Sequence, residues 1–379
     1  MSTKSVMFFG HVNVGKSTTL GHLLSAMGYV TEHEMEKLSN EAELNGKTKS
    51  KFAYVADSDV SEQRSGNTHQ RVRIEHVYEG TKYIFYDTPG HKHLVAEFIS
   101  AVNEVPTTAV LLVPAKYKDY LGTVESGVIR EYTRICKCLG IKNLVVAINK
   151  MDSIEWSTEW HQVRDHMREV LAAIRYNEAI FVPCSGYTLD GIMSRSAQYP
   201  DSPCLLETFQ PDTKVVPLCG TFGKPEFVEE VHDLINSRIH VNDPIRLRIN
   251  DYLGTCTGTK DEILRQVTDL MSAQRTKCCA LVNVFDDSVL ITPDWQCIVH
   301  FTGLPVTCTV KALFSADKKY YAQETMPPKE ALTPLRTFHK RDCVYMALEF
   351  AEPVNIFTGA RLVMRFKEDT VAGGLVRGK

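Results

Sequence analysis

The segment Gly10-His11-Val12-Asn13-Val14-Gly15-Lys16-Ser17 constrains the fold of this chain more than any other. Its spacing is G-x4-G-K-S. The apolar run Val6-Met7-Phe8-Phe9 leads into it, and a helical stretch from Ser17 to Met27 follows. A buried strand, a glycine turn and a helix in that order predict an α/β unit whose turn cradles phosphate. The glycines let backbone N–H groups point inward at phosphate oxygens. Lys16 can reach the β- and γ-phosphates, and the Ser17 hydroxyl suits Mg²⁺. A plain glycine turn between strand and helix is the competing explanation, and the context on both sides argues against it.

Three further strand ends strengthen the case. "YIFYDTPGH" is an apolar strand closing on Asp87-Thr88-Pro89-Gly90-His91. A carboxylate at that position can hold Mg²⁺ through water, and the Gly90 N–H can face a γ-phosphate. "LVVAINKMD" closes on Asn149-Lys150-Met151-Asp152, where one carboxylate can accept both the N1–H and the exocyclic amine of guanine. Adenine offers no such pair. A third strand, "IFVPCSGY", sets the Ser185 and Gly186 N–H groups where the guanine O6 would lie. Each loop alone could be a solvated turn; three in this order point to GTP and GDP as ligands.

At these residues the chain resembles the translational GTPases, nearest to the elongation factor 1-alpha branch with its release-factor and ribosome-rescue relatives. The likeness extends to "MEKLSNEAELNGKTKSKFAY", "TRICKCLGIKNLVVAINKMDS" and "PDSPCLLETF", and returns in "GARLVMRFKEDTVAGGLV". It implies that Gly10, His11, Val12, Asn13, Val14, Gly15, Lys16, Ser17 and Thr18 wrap the phosphates. Asp87 and Gly90 would face the γ-phosphate, and Asn149, Lys150, Asp152, Ser185, Gly186 and Tyr187 would hold the base. Mg²⁺ would take Ser17, the switch residue Thr68 and Asp87. His91 would position the attacking water, with Lys16 and Thr68 completing the catalytic set. The same likeness exposes departures. Ser65 and Asn67 stand where relatives carry arginine and isoleucine before the switch threonine, and Asn13 stands where many carry aspartate. An amide facing Val12 cannot form a dry gate beside the histidine.

The implied architecture is a P-loop GTPase domain over 1–209, a reduced helical linker with the remnant of a second barrel over 210–275, and an antiparallel β-barrel over 276–379. Relatives place a six-stranded barrel in the middle region. From Pro244 to Arg275 there are only about thirty residues, against the roughly fifty that six short strands and their loops require. "DPIRLRIND" matches a first strand, while "KDEILRQVTDLMSA" and "GKPEFVEEVHDLINSRI" carry helical spacing. In the last region "CVYMALEF" and "RLVMRF" alternate as strands of a barrel or a sandwich.

A net charge of −3 rules out a bulk electrostatic grip on DNA or RNA, so any RNA contact is local. No apolar stretch approaches the ~20 residues of a membrane span. The eleven cysteines, without paired zinc-ligand spacing, fit reduced cytosolic thiols and a cytoplasmic location. The expected function is that of an elongation factor 1-alpha-like GTPase acting with the ribosome, an exchange factor, and tRNA or a protein cargo. A termination or ribosome-rescue GTPase is the near alternative. A GTP-binding interaction module with little hydrolysis is the more distant one, suggested by the altered switch.

Overall fold

The computed structural model of the chain describes residues 2–44, 51–56, 72–103, 106–154, 158–174, 176, 178–211, 215–218, 245–249, 252–256, 275–285, 289–301, 304–323, 325–339, 342–354, 356 and 358–378. Thr68, with Arg64, Ser65 and Asn67, lies outside them. So do both segments of helical spacing in the middle region. The chain divides into two compact units, Met1–Lys137 with Ile141–Asp212, and Cys138–Gly140 with Thr213–Lys379.

The first unit is built on a six-stranded sheet. Its strands are β1 (Ser2–Phe9), β2 (Val72–Tyr78), β3 (Thr81–Asp87), β4 (Thr108–Pro114), β5 (Asn143–Asn149) and β6 (Ile180–Pro183), in the order β2-β3-β1-β4-β5-β6. All neighbours run parallel except β2, which pairs antiparallel with β3 at one edge. Every residue of β4 is buried, as expected of a strand covered on both faces. On one face Val6, Phe8, Val110, Leu112, Val145 and Ala147 pack with Leu20, Leu23 and Leu24 of the first helix, α1 (Lys16–Ala26). On the other, the stacked rings of Phe98 and Tyr132 lie among buried residues.

Strand order reverses around β1, with β3 on one side and β4 on the other. In a sheet of this kind the crevice outside the carboxyl ends at such a reversal is where ligands bind. The loops after β1, β3, β5 and β6 all leave from that edge, which brings distant sequence segments to one place.

In the second unit, Arg275–Val284 (β10), Gln296–Phe301 (β11), Leu304–Ser315 (β12), Cys343–Val354 (β14), Arg361–Phe366 (β15) and Asp369–Gly378 (β16) form a closed antiparallel barrel. The order runs β11-β15-β16-β10-β14-β12, and pairing of β12 with β11 closes the circle. A short strand, Thr333–Leu335 (β13), is appended to β12. Closure decides for a barrel where the alternation pattern had left barrel or sandwich open, because both present the same inward and outward faces locally. Register shifts in β10, β12 and β15 bend those strands as closure requires. Val282, Val299, Val310, Leu348, Leu362 and Ala372 are among the side chains filling the interior.

The described part of the middle region is a three-stranded sheet. Val215–Leu218 (β7), Ile245–Ile249 (β8) and Tyr252–Cys256 (β9) lie in the order β7-β8-β9, the first pair parallel and the second antiparallel. The strand expected at "DPIRLRIND" is β8.

Candidate functional site

The turn after β1 is held open by backbone conformation. Gly10 has φ +146° and Gly15 φ +94°, and Asn13 adopts the left-handed region at φ 60°. A side chain at Gly15 is also excluded by space, since a Cβ there would lie 2.5 Å from Asn149 Nδ2. Helix α1 starts at Lys16 with no side-chain cap and no acidic residue in its first turn. Its leading N–H groups and dipole therefore favour an anion, as does the Lys16 ammonium beside them. Lys16 is buried, and its Nζ donates to the His11 carbonyl at 3.0 Å.

Asp87, fully buried at the end of β3, accepts a hydrogen bond from Ser17 Oγ at 2.6 Å. A hydroxyl and a carboxylate side by side are hard oxygen donors, and they fit Mg²⁺ chemically. The DTPG segment is fastened to the sheet by Thr88 Oγ1, which donates to Phe8 O at 2.9 Å. It presses so close to the phosphate turn that a Cβ on Gly90 would lie 2.7 Å from Lys16 Nζ, 2.8 Å from Val12 N and 2.9 Å from Gly10 O. The lysine tip could move aside, but the two backbone atoms cannot without opening the turn. Gly90→Ala is therefore expected to weaken nucleotide affinity by roughly tenfold while leaving the melting temperature nearly unchanged. Equilibrium titration with a fluorescent GDP checks this, and unchanged affinity would show that the turn yields freely.

The base-side residues brace one another across the chain. Asn149 Nδ2 donates to Val14 O at 2.8 Å and to Thr19 Oγ1 at 3.3 Å, while Asn149 Oδ1 accepts from Gly186 N at 2.8 Å. Lys150, in the left-handed region at φ 65°, donates from Nζ to Asn13 O at 2.6 Å. Ser185 is buried, and its hydroxyl donates to Asp152 Oδ1 at 2.5 Å, aiming an otherwise exposed carboxylate. The place of Ser185 and Gly186 after β6 predicts N–H groups facing the guanine O6. In the structure Ser185 N donates to Asp190 O at 2.9 Å and Gly186 N to Asn149, so both amides brace the loop internally. Tyr187, 54% exposed, stands next to them. His91 begins a short 3-10 turn (Lys92–Leu94), and its carbonyl accepts from Tyr132 OH and Leu94 N, each at 3.0 Å. Thr18 lies in the first turn of α1 and is half-buried.

Two residues outside the sequence-derived set belong to this arrangement. Thr19 takes the Asn149 amide, and His22 Nδ1 lies 2.9 Å from Gly186 O. Only their helical spacing from Gly15, steps of four and three, hinted that they share its face.

The chain is similar to known proteins in both sequence and fold. The model of the elongation factor Tu GTP-binding domain family matches residues 1–282. The GTP-binding subunit of a eukaryotic peptide chain release factor from Zygosaccharomyces rouxii is 34% identical over 214 residues, covering 54% of this chain and 32% of that protein. Elongation factor 1-alpha from Staphylothermus marinus is 32% identical over 213 residues, covering 54% of this chain and 48% of that protein. The chain thus spans about a third to a half of the length of these curated relatives. Among solved structures, the S. cerevisiae Ski7 GTPase-like domain bound to GTP superposes with a TM-score of 0.68 at 12% identity, covering 99% of this chain and 97% of that one. The elongation factor SelB from Methanococcus maripaludis, in complex with a GTP analogue, gives 0.54 at 14% identity, covering 100% and 80%. At such identities the likeness is one of fold.

Proposed function

The chain belongs to the elongation factor Tu GTP-binding domain family of translational GTPases, and on that premise we propose that it is an elongation factor 1-alpha-like GTP-binding factor hydrolysing GTP to GDP and phosphate. The observation that carries this is the mutual bracing of the base loops. Asn149 ties the phosphate turn to Gly186, and Ser185 fixes the Asp152 carboxylate. A carboxylate held in that way accepts two donors from one edge of guanine and finds none at the equivalent edge of adenine.

Phosphoryl transfer to water asks the protein mainly for positioning and charge. Lys16 and the N-terminus of α1 meet the phosphates, and His91 orients the attacking water in line with the leaving GDP. Ser17, Asp87 and Thr68 would hold Mg²⁺, which when bound neutralises charge on the phosphate oxygens. The tyrosine hydroxyl on the His91 carbonyl fixes the backbone of the turn that carries the imidazole. The reading names a cytoplasmic location, with the ribosome and a guanine nucleotide exchange factor as partners.

A second reading, a termination or ribosome-rescue GTPase carrying a protein, is favoured by the small sheet β7-β8-β9. Among the described residues of the middle region these three short strands form an open sheet. Discrimination of an aminoacyl end requires groups that pair only with it. The GTP-loaded protein is therefore expected to bind aminoacyl-tRNA weakly and with little preference over deacylated tRNA. A gel shift showing tight, GTP-dependent, aminoacyl-specific binding would exclude this cargo assignment. Single-turnover GTP hydrolysis with and without ribosomes tests the reaction itself. Phosphate release stimulated by ribosomes is the expected result, and its absence in both would leave a binding module.

A further inference from the structure

We propose that His22 is a positioning residue for the guanine base, its imidazole, backed by Phe52, holding the Gly186 carbonyl and with it the loop that carries Ser185. The inference rests on the guanine-nucleotide reading above.

Helix α1 turns one stripe of residues, Gly15, Thr19 and His22, toward the two base loops. Gly15 is nearly in contact with the Asn149 amide, and Thr19 Oγ1 accepts from it. A Cβ on Gly186 would strike Thr19 Oγ1, so the loop after β6 lies directly on the helix. One turn further, His22 Nδ1 is 2.9 Å from Gly186 O. A carbonyl only accepts, so Nδ1 carries the proton and donates.

The consequence reaches both sides of Gly186. Its N–H is already given to Asn149 Oδ1, and its carbonyl is now fixed by His22. Because a trans peptide sets its N–H opposite its C=O, fixing that carbonyl also fixes the direction of the Tyr187 N–H. Ser185, one residue earlier, orients Asp152. The ring that performs this is held from behind. Phe52 stacks on it with centroids 3.6 Å apart and planes 8° from parallel. A Cβ on Gly21 would collide with the Phe52 carbonyl, so the segment bearing Phe52 sits hard against α1. Burial lowers the His22 pKa, with the hydrogen bond to the Gly186 carbonyl opposing it and the Lys51 ammonium adding to it.

The test uses the full chain and compares affinities for GDP and for inorganic pyrophosphate in wild type, His22→Phe, His22→Asn and Phe52→Leu. His22→Phe keeps an aromatic ring on Phe52 and loses the donor, whereas His22→Asn keeps a donor near the Nδ1 position. GDP affinity is expected to fall roughly fivefold in His22→Phe, as for one lost hydrogen bond, with pyrophosphate affinity unchanged. His22→Asn should recover most of the loss, and Phe52→Leu should reproduce part of it. GDP binding at the wild-type level in His22→Phe overturns the proposal. So does a parallel fall for GDP and pyrophosphate, which would mean that the phosphate turn itself is damaged. If His22→Phe does not fold, Phe52→Leu decides on the same criterion. A wild type that binds GDP no more tightly than ADP would instead remove the guanine reading, and that failure is visible before any variant is made.

Discussion

Asp152→Asn should lower affinity for GTP by about a hundredfold and raise affinity for xanthosine triphosphate, reversing the order of the two nucleotides. A carboxylate presents acceptors only, matched to the N1–H and the exocyclic amine of guanine. The amide that replaces it presents one acceptor and one donor. Xanthine carries a carbonyl where guanine carries the amine, so the donor finds a partner there. The Ser185 hydroxyl, now 2.5 Å from Asp152 Oδ1, can donate to the new carbonyl oxygen just as it does to the carboxylate. The substitution therefore changes the hydrogen-bonding character of the group and leaves its support in place. Competition titrations with GTP and xanthosine triphosphate check it, and a variant still preferring GTP would mean that this loop does not read the base.

That pairing of Ser185 with Asp152 shows where sequence reasoning reaches and where it stops. The spacing of Gly10, Gly15 and Lys16 is a local property of one strand-turn-helix unit, so the phosphate turn and the start of α1 were legible to within a residue. The carboxylate at the end of β3 and the Asn149-to-Asp152 run were legible for the same reason, since each terminates a continuous apolar strand. The braces were not. Asn149 reaching Val14, Gly90 pressing on Gly10 and Val12, and His22 holding Gly186 join segments far apart in the chain, and no periodicity encodes them. The amides of Ser185 and Gly186 make the point most directly. Their place after β6 could be read from the sequence, but the partners that take their hydrogens, Asp190 and Asn149, depend on how the loop closes. In the second unit the alternation of β14 and β15 was clear, yet only the pairing of β11 with β12 separates a barrel from a sandwich.

Lys16→Ala and His91→Ala should damage the protein in different ways. The lysine is buried in the phosphate turn with its ammonium 3.0 Å from the His11 carbonyl. It supplies a full charge where the nucleotide brings several of the opposite sign. Its loss removes charge-assisted hydrogen bonds present in the bound ground state, so affinity for GTP and GDP should fall by about a hundredfold or more. His91 contributes differently. Its carbonyl, tied to Tyr132 OH and Leu94 N, is what fixes the turn after β3, and truncation at Cβ leaves those bonds intact. The imidazole is proposed to contribute chiefly when water is being aligned for attack. A group that acts in the transition state lowers the rate without lowering affinity. His91→Ala is accordingly expected to bind GTP within about twofold of wild type and to hydrolyse it on the order of a hundredfold more slowly. Equilibrium binding and single-turnover hydrolysis, measured on both variants, separate the two roles. Equal loss of binding in both would make His91 a structural residue of the turn and leave the attacking water to another group.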